Sequence, residues 1–146
     1  MPQGAITRGT TNTNRLRRSD RWLATWPGLR RVAVANVVDL GYGASSATTR
    51  ELATRLAKVR PDVHVWGIEI DPARVAIAQQ ELAQITPPVT NVSFAYGGFE
   101  VPVPTGIAPV VIRAFNVLRQ YDEAEVPAAW AAMRARLDPE GVVIDG

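Results

Sequence analysis

A chain of 146 residues, 47% hydrophobic and 21% charged, is of ordinary size and balance for one globular domain with a real core. It has no cysteine and one histidine, His64, which excludes disulfides, thiolate metal centres and multi-histidine metal centres within one chain. The net charge of +2 conceals an asymmetry: residues 1–31 carry seven arginines against one acid, and residues 32–146 carry nine basic residues against thirteen acids.

The basic N-terminus lacks the apolar stretch of a secretory signal, and no window of about 18 apolar residues offers a membrane span. With cysteine absent, a cytoplasmic location is the default. Residues 1–14 (MPQGAITRGTTNTN) are small, polar and aperiodic, and read as a mobile or surface-draped arm. From Arg15, the spacing of Leu16, Trp22, Leu23 and Trp26 predicts a basic helix that ends at Pro27-Gly28. RVAVANVVDL (31–40) is a nearly continuous apolar run, as expected of a strand buried on both faces. SATTRELATRLAKV (46–59) places Leu52, Leu56 and Val59 at helical spacing.

VHVWGIEI (63–70) predicts a second strand, and Asp71-Pro72 an N-cap with proline at the first helical position. The helix that follows carries Val75, Ala78, Leu82 and Ile85 on one stripe and is stopped by Pro87-Pro88. NVSFAY (91–96) and APVVIRAF (108–115) predict strands three and four. Val126, Trp130, Met133 and Leu137 mark another helix, and GVVID (141–145) a fifth strand. Strands alternating with helices predict an α/β fold, a doubly wound parallel sheet covered on both faces and joined by right-handed crossovers.

Ligands of open α/β sheets bind outside the carboxyl ends of the strands, where this chain concentrates residues that packing does not explain. Strand one ends in Asp39-Leu40-Gly41-Tyr42-Gly43, strand two in Glu69-Ile70-Asp71, strand three in Gly97-Gly98-Phe99-Glu100, and strand four in Arg113-Ala114-Phe115-Asn116. A glycine turn followed by an acid at the next strand end suits a dinucleotide or another adenosine ligand. The dinucleotide pattern G-x-G-x-x-G lacks its third glycine here, since Ser46 stands in that place. Asp39 is poorly placed beside a pyrophosphate and well placed beside an ammonium or sulfonium, which favours a cationic adenosine ligand.

VVDLGYGASS resembles the first motif of class I S-adenosylmethionine-dependent methyltransferases, D/E-x-G-x-G-x-G, with Ser45 in the third glycine's place. VWGIEIDPARVAIAQ, NVSFAYGGFEVP and RLDPEGVVIDG are similar to that family's second, third and fifth strand segments. Over residues 32–146 the resemblance implies a Rossmann-like sheet of about five strands in the order 3-2-1-4-5. It also implies S-adenosyl-L-methionine as the cofactor and an unidentified acceptor as the methyl-transfer partner.

Residue by residue, the resemblance implies that the backbone of Gly41, Tyr42, Gly43 and Ser45 meets the methionine moiety, with Asp39 near its ammonium. Glu69 would accept from both ribose hydroxyls, and Ile70 and Phe99 would sandwich the adenine. Gly98 departs from the family, which often has an acid there for the adenine amino group. Asn116 and Arg113 fall where catalytic or substrate-orienting groups usually lie, and no N-P-P-Y signature is present. Residues 15–31, with Trp22 and Trp26, are expected to form a lid over the cofactor, and nucleic-acid binding by the arginines is the less favoured reading.

The family's domain continues past strand five, whereas the sequence ends at Gly146. Strand five is thus expected to be an exposed edge, with self-association or a completing chain. Two rivals stay open: an NAD(P)-dependent oxidoreductase and a non-catalytic cofactor-binding remnant.

Overall fold

A computed structural model describes residues 2–8 and 16–146. Its centre is a parallel sheet of five strands in the order β3-β2-β1-β4-β5. The strands are β1 (Asn36–Leu40), β2 (His64–Glu69), β3 (Val92–Tyr96), β4 (Val111–Ala114) and β5 (Val142–Asp145). The helices are α1 (Arg17–Thr25), α2 (Pro27–Arg31), α3 (Ala47–Ala57), α4 (Pro72–Ala83) and α5 (Val126–Arg134).

Both faces of the sheet are covered, because alternate residues of each strand feed two separate cores. Val37 and Val111 join Leu23, Leu29, Leu52, Leu56, Val75 and Ala78 on the face carrying α1 to α4. Val38, Leu40 and Ile112 join Phe99, Val101, Ala129 and Met133 on the other. Two-sided burial is why β1 reads as an apolar run and not as an alternating one. The Asp71 side chain accepts from Ala73 N at 3.0 Å and Pro72 opens α4, as the local chemistry predicts.

The first strand is half the expected length. The Arg60 guanidinium donates to the carbonyls of Leu29, Arg30, Val32 and Ala33. Leu29 and Arg30 belong to α2, and with the Val32 and Ala33 carbonyls bound to Arg60 the ladder pairing begins at Asn36. The single helix expected from Arg15 is two helices, because Pro27 opens α2 instead of only closing α1. Arg15 and residues 9–14 of the expected arm lie outside the described residues.

Of the two tryptophans at α1, Trp26 packs against the core and Trp22 does not. Trp22 is 53% exposed, and the buried residues of the helix are Leu23 and Asp20. At the far side of the sheet, among the described residues, β5 pairs with β4 alone, and its residues are half-buried or exposed.

Candidate cofactor site

The turns after β1 and β3 converge on the end of β2. Gly41 N donates to Ile68 O at 2.7 Å, and Gly97 N donates to Glu69 O at 3.0 Å. Gly41 and Gly43 have φ of +69° and +99°, a region that favours glycine. A Cβ on Gly41 would collide with Val117. These turns frame a cavity walled by Gly41, Glu69, Ile70, Gly98, Phe99 and Tyr121. The glycine turn and the carboxylate of residue 69, far apart in sequence, thus share one cavity.

Glu69 is 2% exposed at the last position of β2. Its Oε2 accepts from Asp71 N at 2.8 Å and its Oε1 from Arg74 Nη1 at 3.2 Å. A carboxylate has about four acceptor positions, so two donors leave it able to take hydroxyls from the cavity. Ile70 and Phe99 line the same cavity, and the Phe99 ring meets Tyr121 edge-on at 5.3 Å between centroids.

The acid absent at position 98 is supplied two residues later. Glu100 folds back so that both carboxylate oxygens accept from Gly98 N at 3.1 Å. An acceptor from Glu100 thus stands beside the Phe99 N–H donor. Tyr121 on the cavity wall and Glu100 behind Gly98 are the neighbours that motif spacing missed; the signal for Glu100 is an acid displaced by two positions in Gly97-Gly98-Phe99-Glu100.

Residues 2–8 lie across this cavity. Gln3 N donates to Glu100 Oε1 at 2.6 Å, and Phe99 N donates to Gln3 O at 2.8 Å. The Tyr121 hydroxyl accepts from Ala5 N at 2.7 Å and donates to Ala5 O at 2.9 Å. Arg74 Nη2 donates to Thr7 O at 2.8 Å. No described residue of 16–31 lines the cavity; the lid expected of that helix sits instead against α3.

Several expected site residues lie elsewhere. Asp39 is buried beneath α3, where its carboxylate accepts from Thr49 Oγ1 at 2.9 Å and is paired with Arg113 at 3.2 Å. It does not line the cavity. Arg113 is fully buried, gripped on its other side by Asp20 of α1. Burial alone would favour its neutral form, but the Asp39 and Asp20 carboxylates reverse this and raise its pKa. So enclosed, it is a structural cation, and the catalytic role expected of it is withdrawn.

Tyr42 points into the core and packs on Phe94 at 5.0 Å between centroids. Asn116 adopts φ +59° just after β4, with its side-chain oxygen accepting from Arg119. It neighbours Val117 of the cavity wall without lining the cavity itself. Gly43 and Ser45 also lie off the cavity wall.

The start of α3 is already occupied by negative charge. Glu81 Oε1 accepts from Ser46 N at 2.8 Å, and Ser45 Oγ accepts from Ala47 N at 3.2 Å. Burial opposes ionisation of Glu81, yet the Ser46 hydrogen bonds and nearby Arg50 hold its pKa below 4.5. A dinucleotide pyrophosphate would sit at this helix N-terminus, where a carboxylate repels it. Glu81, and not Asp39, is thus the acid that disfavours a dinucleotide.

No protein-family model matches the sequence, and no curated protein does. Solved structures do match in fold. They include a citrinin polyketide synthase CMeT domain, with TM-score 0.68 and 15% identity over 89% of this chain and 34% of that one. The glycopeptide N-methyltransferase MtfA complexed with S-adenosyl-L-methionine superposes with TM-score 0.58 and 19% identity, covering 88% and 48%. A SAM-dependent methyltransferase of Leishmania major gives 0.56 and 17%, covering 89% and 48%. The fold is therefore that of class I S-adenosylmethionine-dependent methyltransferases, and the chain spans about half or less of the length of these structures.

Proposed function

We propose that the chain binds S-adenosylmethionine at the carboxyl edge of β1, β2 and β3 and serves methyl transfer to a nucleophilic acceptor. The carrying observation is the convergence of Glu69 and the Ile70–Phe99 slot on one cavity, with Glu100 bonded to Gly98 N beside it. The residues suit the ligand part by part. Glu69 offers acceptors for two ribose hydroxyls, and such charge-assisted bonds are the stronger kind. The slot offers apolar faces to a flat ring, and the Phe99 N–H and Glu100 offer a donor beside an acceptor. The likeness to MtfA complexed with S-adenosyl-L-methionine supports the same ligand.

The bound cofactor supplies an electrophilic methyl group on a sulfonium. The protein's share is to hold the donor in line with the acceptor and to exclude water. No strong base is needed for that, and Asn116, next in sequence to the cavity-wall residue Val117, is our candidate to orient an acceptor. Dialysis of radiolabelled S-adenosylmethionine against the chain tests the proposal. Saturable one-site retention that S-adenosylhomocysteine displaces is expected; retention equal to a buffer control contradicts it.

A further inference from the structure

We propose that residues 3–7 are an internal occupant of the nucleoside cavity, copying the polar edge of adenine, and that an adenosyl ligand enters only by displacing them. This rests on the cofactor reading above and adds a competitor built into the chain.

Position comes first. A Cβ built on Gly4 would lie 3.3 Å from the Phe99 ring, 3.4 Å from Ile70 Cδ1 and 2.9 Å from the Tyr121 oxygen. Gly4 therefore sits in the slot expected to take a flat ring. Its φ of +131° is one that glycine tolerates and a branched residue does not. Gly98 makes the matching concession, because a Cβ there would collide with the Gln3 carbonyl.

Polarity agrees with position. Adenine presents an amino donor beside a ring-nitrogen acceptor. Gln3 presents an N–H to Glu100 and a carbonyl to the Phe99 N–H, the same pair in the same place. Arg74 extends the coupling, since it bonds both Thr7 O and the Glu69 carboxylate.

Volume decides between occupant and cover. With the segment in place the cavity is about 20 Å³, room for about one water molecule. Pockets for small ligands run to roughly 300–1,000 Å³. The segment therefore fills the site and does not close over a ligand held beneath it. It is also displaceable: residues 3–6 are exposed and held by hydrogen bonds, with no apolar core of their own.

The test uses the full chain and its Gly4→Val variant, which cannot seat in the slot and alters no buried position. In hydrogen exchange without ligand, the amides of Gln3 and Ala5 are protected in the native chain and unprotected in the variant. Calorimetric titration then shows S-adenosylhomocysteine binding the variant about tenfold more tightly, as expected if the cavity is open a tenth of the time. Adding that ligand to the native chain removes the protection of both amides. Equal or weaker binding by the variant, protection that rises on ligand addition, or no protection without ligand overturns the proposal. Absence of binding by both proteins overturns the cofactor reading itself, a result separate from equal binding by the two.

Discussion

Asp39 and Arg113 are register partners on adjacent parallel strands and form an ion pair at 3.2 Å with both side chains buried. Asp20 of α1 closes on the same guanidinium and is itself bonded by Arg55 of α3 at 2.6 Å. The network joins β1, β4, α1 and α3 beneath the glycine turn, so the aspartate before that turn holds the scaffold in place. Removing one member of a buried pair costs about 3–5 kcal/mol, because its partners remain charged without compensation. Arg113→Met is expected to lose stability of that order in denaturant unfolding. Loss below about 1 kcal/mol would show that the network is not held as described.

Glu69 makes the opposite kind of prediction. Glu69→Ala is expected to weaken S-adenosylhomocysteine binding by about 1.5–3 kcal/mol, the usual value of hydrogen bonds to a charged group. Glu69→Gln, which keeps one acceptor, should fall between. Unchanged affinity in a calorimetric titration of Glu69→Ala would remove this residue from the site.

Two groups set a pH dependence of stability. Burial holds the His64 imidazole below its usual pKa of 6.5, so the unfolded chain takes up that proton first. Its contribution is full above about pH 6.5 and is lost as pH falls through the lower folded value. Glu81, held below 4.5, acts further down: its contribution is present above about pH 4.5 and lost as pH drops through the folded pKa. His64→Gln should flatten the upper decline and leave the lower one. A stability profile in which His64→Gln tracks the native chain across pH 5–7 contradicts the first assignment.

The open edge at β5 has a physical consequence of its own. Trp22 and Trp130 are exposed beside Val143 and Ile144, and an unpaired strand edge with apolar flanks invites association. Sedimentation velocity is expected to show mass rising with concentration, reduced in the double variant Trp22→Ser, Trp130→Ser. A concentration-independent monomer would contradict this.

The sheet was legible in the sequence because period and punctuation agree along its length. The runs at 31–40, 63–70 and 108–115 contain β1, β2 and β4, and Asp71-Pro72 starts a helix. Spacing also set Glu69, Ile70, Gly98 and Phe99 at strand ends, and the structure brings all four to one cavity. What it could not find were groups whose partners are remote. Arg113 looked like a strand-end site residue, yet it is neutralised by Asp20, 93 positions away. Asp39 likewise has its ion-pair partner Arg113 far off in sequence. Residues 3–7 carry no periodicity at all, and their place follows from backbone hydrogen bonds to residues 99, 100 and 121, which no local pattern encodes.

On the proposed function the carboxyl edge of this sheet takes an adenosyl donor and not a dinucleotide. Parallel calorimetric titrations with S-adenosylhomocysteine and NAD test it most directly. Saturable one-site heat with the first and none with the second is the predicted result. Binding of NAD with no binding of S-adenosylhomocysteine would contradict it.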